Sequence, residues 1–156
     1  MADEKNSGNL IFSGYFERSI DDKGRLAIPA RLRTQLEKAQ SKDEVIYVFY
    51  STVYKVIRIY TYDGWMSFVQ PKIDEIEDPD DRVRMMRTLY RFTEDQKLDS
   101  QGRISINKKL AEVLEIEKNV SICGMGRGIE IAALVDKEET FELKDDEVDF
   151  LKSIMH

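Results

Sequence analysis

The sequence predicts a mainly β fold with helices, built from two similar halves related by a pseudo-two-fold axis. Three observations carry this. The chain aligns with itself at an offset of 78 residues, each half reads as short strands around a glycine turn, and each half is only about fifty residues long. Units of that size rarely bury enough apolar surface alone, so the two halves are expected to complete one core. At 156 residues, 42% apolar and 35% charged, the chain as a whole is long enough to remove roughly 68–70% of its unfolded surface from water.

The self-match places Ile20-Asp21-Asp22-Lys23-Gly24-Arg25-Leu26-Ala27-Ile28-Pro29 over Leu98-Asp99-Ser100-Gln101-Gly102-Arg103-Ile104-Ser105-Ile106-Asn107. It continues as Leu32 with Leu110 and Leu36 with Leu114. In the first copy, Tyr15–Ile20 reads as a strand into the turn and Leu26–Ile28 as a half-buried strand beyond it. Pro29 suits the first position of a helix, and Leu32 and Leu36, four apart, give that helix one apolar stripe. In the second copy Asn107 replaces the proline, but asparagine is a good N-cap, so a helix over Lys108–Leu114 is still expected. Each copy ends in a β-rich pair, Val45–Tyr50 with Val56–Tyr60 and Val120–Cys123 with Ile129–Ala133. Between the copies, Pro71 is expected to break Trp65–Ile76. A clearer helix should open at Asp78-Pro79-Asp80-Asp81 and run to about Arg91, burying Val83, Met86 and Leu89 or Tyr90. At the far end Lys137–Leu143 and Asp145–Met155 read as helices, the second with Val148, Leu151, Ile154 and Met155 on one face.

Composition removes whole classes of chemistry. The one histidine is His156, so Ser-His-Asp and Cys-His arrangements and zinc sites built on several imidazoles are excluded. The one cysteine, Cys123, cannot close an intrachain disulfide. No apolar run approaches the roughly 18–20 residues that span a bilayer. The opening MADEKNSGNL lacks the basic region and apolar stretch of a secretory signal, so a cytoplasmic protein is expected. The net charge of −6 is unevenly placed: residues 110–156 carry −7, residues 1–109 carry +1, and Arg82–Lys109 has eight basic residues against three acidic ones. The acidity belongs to the tail, and nucleic acid stays open as a partner.

The repeated Asp-x-x-Gly-Arg element suits the rigid display of a cation. Glycine permits the positive φ of a tight turn, aspartate accepts turn N–H groups, and the guanidinium projects beside the turn as a bidentate donor. The competing reading is a hairpin whose arginine only pairs with its own aspartate. Gly124-Met125-Gly126-Arg127-Gly128 looks like a phosphate-cradling loop but precedes another strand, Ile129–Ile131, so it reads as a hairpin turn with Arg127 solvated at its tip. The carboxylates at Asp78–Asp81 and Asp145–Glu147 fit neither a calcium loop nor a separated acid/base pair, and read as helix starts. The row Arg84, Arg87, Arg91 reads as a solvated face or subunit contact ahead of a DNA contact.

These residues resemble the MraZ family, tandem relatives of the AbrB-type transition-state regulators. The resemblance rests on the two Asp-x-Lys/Gln-Gly-Arg motifs, their spacing and the helical connector, and covers about Phe12 to Ala133. It implies two AbrB-like swapped-hairpin β-barrel units in one chain, subunits assembled into a ring, and binding of double-stranded DNA at the direct repeats of a promoter in the division and cell-wall gene cluster. Carried over by position, the DNA-binding arginine falls on Arg25 and its repeat partner on Arg103, with Lys23 beside the first and Arg31 and Arg33 in the helix after it. Asp21 and Asp99, with Gly24 and Gly102, are assigned to supporting the turns. The sequence departs from the family in a longer polar N-terminal segment, in Gln101 and Asn107 of the second motif, and in the acidic tail, so Arg25 ranks above Arg103.

The expected organisation is a flexible N-terminal segment over 1–10, a first unit over 11–63, a connector over 64–91, a second unit over 92–136 and an acidic helical tail over 137–156. No cofactor, metal, membrane or small-molecule substrate is expected, and no enzymatic activity. The leading reading is a sequence-specific DNA-binding regulator, nucleoid-associated, in which Lys23, Arg31 and Arg33 touch phosphate and Arg25 reads a base edge. Alternatives are an AbrB-like antitoxin and an oligomeric protein-binding assembly without DNA recognition.

Overall fold

A computed structural model describes residues 11–40, 45–134 and 142–156. The expected N-terminal segment and most of the helix expected over Lys137–Leu143 lie outside the described residues. Of the latter, Glu142 and Leu143 are described and are not helical.

The first copy supplies β1 (Tyr15–Ser19), β2 (Arg25–Ala27), α1 (Ala30–Ala39), β3 (Ile46–Ser51) and β4 (Val56–Tyr60). The second supplies β5 (Thr93–Gln96), β6 (Arg103–Ser105), α5 (Lys108–Val113), β7 (Asn119–Gly124) and β8 (Ile129–Ala133). Six strands form one sheet in the order β1-β7-β8-β4-β3-β5, and β2 pairs with β6 in a separate two-stranded ribbon. Exchanging the copies turns this order into its own reverse, so the pseudo-two-fold axis passes between β4 and β8 and through the Leu26–Ile104 pair at the centre of the ribbon. The strands are exchanged as well: β1 lies on β7 of the second copy, and β5 lies on β3 of the first. All of these pairings are antiparallel. The sheet is open, with β1 and β5 as its edges, so the swapped strands are present without a closed barrel.

Alternation places Val48, Tyr50, Ile57, Ile59, Val120, Ile122, Ile129 and Ile131 on the inner face, all buried. Leu26 and Ile104 from the ribbon, Leu32 and Leu36 from α1, and Ala111 and Leu114 around α5 close over them in one cluster drawn from both copies. Neither half owns its core. Tyr50 is fully buried, and its hydroxyl accepts from the Asn107 N–H at 2.9 Å and bonds Glu94 at 3.2 Å. Burial pushes that hydroxyl's pKa up. A proline could not donate this N–H, and the Asn107 side chain also accepts from the Leu110 N–H at 3.1 Å to cap α5. The departure at Asn107 therefore has a structural reason. Pro29 itself stands one residue ahead of α1, at the N-cap.

The connector departs from expectation twice. Pro71 does not break it: α2 (Tyr62–Gly64) runs through a π-turn (Trp65–Val69) into α3 (Gln70–Asp74), with the Gln70 N–H reaching back to the Trp65 carbonyl. The proline is the second residue of α3, directly after the π-turn, and the helical path continues through it. In α4 (Pro79–Arg91), Asp78 accepts from the Asp81 N–H at 2.9 Å, but Val83 and Met86 face outward. Tyr90, partly exposed, lays its ring against Trp65 at 5.9 Å, and its hydroxyl accepts from Trp65 Nε1 at 3.3 Å and donates to Gln70 Oε1 at 3.1 Å. Arg82, Met85 and Leu89 take the half-buried positions, and the Arg82 guanidinium folds back onto the Ile76 carbonyl at 2.7 Å. The tail forms α6 (Asp145–Ile154), with no buried residue. Among the described residues no helix is long and apolar enough to cross a membrane.

Candidate nucleic-acid interface

The two motif turns are built alike. Asp21 Oδ1 accepts from the backbone N–H of Lys23 at 2.9 Å and of Arg25 at 2.8 Å, and its Oδ2 takes Arg25 Nε at 2.8 Å. Asp99 repeats this with Gln101 at 2.9 Å, the Arg103 N–H at 2.9 Å and Arg103 Nε at 2.8 Å. Backbone bonds from Gly24 to the Asp21 carbonyl and from Gly102 to the Asp99 carbonyl, both 2.9 Å, close the turns. Gly24 and Gly102 have φ of +78° and +72°, a region open to glycine at little cost. The Arg25 and Arg103 N–H groups hold the two carboxyls below the ordinary carboxylate range, with the guanidinium of each pair adding to the effect.

Each aspartate thus pairs with its own arginine, the competing reading of the motif. The pairing uses Nε, so the terminal guanidinium nitrogens of Arg25 and Arg103 have no hydrogen-bond partner among the described residues. The carboxylate acts as a brace, because fixing Nε fixes the plane in which the rest of the fork projects.

The ribbon register decides where those forks point. Arg25 lies opposite Ser105, Ala27 opposite Arg103, and Leu26 opposite Ile104. Facing and alternate residues share a face, so Leu26 and Ile104 enter the core while Arg25, Ala27, Arg103 and Ser105 form the outer face. The structure brings both motif arginines together as diagonal neighbours, about 7–8 Å apart by sheet geometry. Each end of the ribbon is clamped by the other copy. The Ile28 N–H donates to the Gly102 carbonyl at 3.0 Å, and the Ile106 N–H to the Gly24 carbonyl at 2.7 Å.

The remaining predicted cations do not form one cluster. Arg31 and Arg33 are two residues apart on α1 and diverge. Arg31 Nη2 reaches Ser13 Oγ at 3.1 Å, whereas Arg33 lies over the Gly102 turn of the other copy, its Nη1 at 3.4 Å from the Gln101 carbonyl. Lys23 is exposed at the first turn, in a groove that Lys108 and Lys118 of the second copy also line. Sequence reasoning missed those two lysines, because only the strand exchange brings the second copy's helix against the first copy's turn. Arg127, expected to be solvated, stacks on Phe68 at 4.4 Å.

A family model described as "MraZ protein, putative antitoxin-like" matches residues 11–84 and 89–139, which takes in both copies and every residue of the two turns. The chain belongs to the MraZ family. It is 33% identical to the transcriptional regulator MraZ of Marinomonas sp. over 123 residues, covering 78% of this chain and 79% of that one. With the transcriptional regulator MraZ of Treponema denticola it shares 30% identity over 143 residues, covering 88% and 91%, and with that of Roseiflexus sp. 32% over 127 residues, covering 79% and 81%. Relatives so named support a transcriptional regulator role. The two matched stretches meet across residues 85–88, within α4, so each takes in one copy of the repeat.

Proposed function

We propose that the chain regulates transcription by binding double-stranded DNA through the outer face of the β2–β6 ribbon. The observation that carries this is the display of Arg25 and Arg103 side by side on that face, each braced by an aspartate through Nε. B-DNA's major groove, about 12 Å wide, admits a two-stranded β-ribbon, and an arginine fork there matches guanine O6 and N7. Lys23, Arg31 and Arg33 supply phosphate contacts that set position without reading sequence, and Lys108 and Lys118 join Lys23 at the first turn. Several subunits in a ring engage direct repeats together, so each weak ribbon contact is multiplied by avidity. The target suggested by family resemblance is a promoter of the division and cell-wall cluster, which places the protein in the cytoplasm at the nucleoid.

The test is binding to a fragment upstream of the chain's own coding sequence and to a scrambled fragment, each at several salt concentrations. Arg25→Ala is expected to cost about 1–3 kcal/mol on the cognate fragment and much less on the scrambled one. Lys23→Ala should weaken both and reduce the salt slope by about 1. Equal losses on both fragments for Arg25→Ala would demote Arg25 to a phosphate contact, and no preference for any fragment would reject the reading.

A further inference from the structure

Among the described residues, the ribbon's two edges are closed at three of their four outward-facing backbone positions. The bonds that Ile28 and Ile106 make across the ribbon put Arg25, Ala27, Arg103 and Ser105 at the non-hydrogen-bonded positions of its ladder, so their own N–H and carbonyl groups point away from the partner strand. Asp21 closes Arg25: its Oδ1 accepts from the Arg25 N–H at 2.8 Å, and its backbone N–H donates to the Arg25 carbonyl at 2.9 Å. Asp99 closes Arg103 in the same way, at 2.9 Å and 3.0 Å. At Ser105 the side-chain amide of Gln96 acts as a strand would, Oε1 accepting from the N–H at 2.9 Å and Nε2 donating to the carbonyl at 2.7 Å. Ala27 is the fourth position. It is exposed, and its N–H and carbonyl have no hydrogen-bond partner among the described residues.

At the offset of 78, the counterpart of Gln96 is Arg18, on β1, which runs beside β2. An amide side chain both donates and accepts, whereas a guanidinium only donates, so Arg18 cannot close the Ala27 N–H as Gln96 closes that of Ser105. Arg18 is exposed and held only by its neighbours, with Nη1 on the Glu17 carbonyl at 2.8 Å and the guanidinium 5.5 Å from the centre of the Phe16 ring. Arg103 faces Ala27 across the ribbon. The Ala27 corner thus combines an open N–H with two guanidinium groups, a donor set that fits an oxyanion. At the Ser105 corner the residue in the place of Phe16 is Glu94, a carboxylate held by the Tyr50 hydroxyl at 3.2 Å and the Asn107 amide at 3.0 Å.

Resting on the reading of the ribbon as the DNA-binding element, we infer that a backbone phosphate of the duplex docks at the Ala27 corner, held by the Ala27 N–H and Arg18, while Gln96 keeps the Ser105 corner closed. A ribbon in the major groove turns its outer face to the bases and its edges to the flanking backbones, and this open N–H lies on an edge. The contact is separate from Lys23, which belongs to the turn at the other end of β2.

The test uses the full chain and cognate duplexes carrying a single methylphosphonate, which removes one phosphate charge, stepped along both strands. Arg18→Gln should weaken cognate and scrambled fragments alike by about tenfold, the worth of one hydrogen bond to a charged group, and should lower the salt slope by about 1. Arg18→Lys should keep the slope. One methylphosphonate position that weakens the parent should have no effect in Arg18→Gln, and the same position should have none in Ala27→Pro, which removes the N–H at a strand edge where proline is tolerated. Lys23→Ala and Arg25→Ala should stay sensitive to it. If Ala27→Pro melts below the parent, the two Arg18 variants decide alone. Unchanged affinity and slope in Arg18→Gln, or equal sensitivity in the parent at the phosphate related by the ribbon's pseudo-two-fold axis, would overturn the inference. With Arg25→Ala still costing cognate affinity, those outcomes reject the corner alone, whereas a parent sensitive to no phosphate would reject the DNA-binding reading as well.

Discussion

Replacing the motif glycines by alanine separates two costs that look alike in sequence. Gly24 and Gly102 both have positive φ, so each Gly→Ala should lose about 1–2 kcal/mol from the left-handed backbone alone. For a chain of this size that is a fall of about 2–8 °C in melting temperature. The added methyl then meets different neighbours. At Gly24 it would lie 3.2 Å from the Ile106 carbonyl oxygen, which is held in place by the ribbon. At Gly102 it would land on the Arg33 side chain, which can swing away. Position 111, the repeat counterpart of Arg33, is alanine, so the first turn has no such arginine over it. A double-mutant cycle reads the difference. Arg33→Ala should relieve part of the cost of Gly102→Ala, with a coupling of about 0.5 kcal/mol or more, and should add independently to Gly24→Ala. The assay is reversible denaturation of the three single variants, the two double variants and the parent. A neutral Gly24→Ala, or equal coupling of Arg33→Ala to both glycines, would refute the argument.

Leu26→Ala and Ile104→Ala remove fully buried side chains at the ribbon's centre and should each cost about 2–5 kcal/mol in denaturant unfolding. Because they face each other, their costs should not be additive. Asp21 and Asp99 have carboxyls held below their ordinary value of 3.8 in the folded chain, so the stability they add is complete above that pH and is lost as pH falls through the lower folded value. Asp21→Asn with Asp99→Asn should therefore flatten the stability profile below about pH 4, measured by melting temperature against pH, and leave its shape at higher pH unchanged.

Much of the fold was legible because it rests on local chemistry. The Asp-Gly-Arg turns, the Leu32 and Leu36 stripe and the Asp78 and Asn107 caps each need only neighbours within four residues, and each stands where the pattern puts it. The partnering of strands was not legible in the same way, since β1 finds β7 a hundred residues away and no periodicity records that choice. This is also why Lys108 and Lys118 escaped notice beside the first turn. The connector misled for a related reason. Val83 and Met86 have the spacing of a buried stripe with Leu89 or Tyr90, but spacing does not say what covers it: Leu89 is half-buried and Tyr90 packs on Trp65, whereas Val83 and Met86 stay exposed. Pro71 was read as a break because the register slip of a π-turn upstream, which lets the helix pass, leaves no mark in composition.

The ribbon's two strands come from one polypeptide, and this frees it from a constraint that binds ordinary dimers. Two identical subunits meeting on a true dyad must offer the same side chains to both ends of their target, which ties them to palindromes. Here the ends have already diverged: Lys23 stands at one turn and Gln101 at the other, and Arg33 overlies only the second. A fused pair of this kind can lay a different chemical edge on each side of its footprint, and so tell one direction along a double helix from the other.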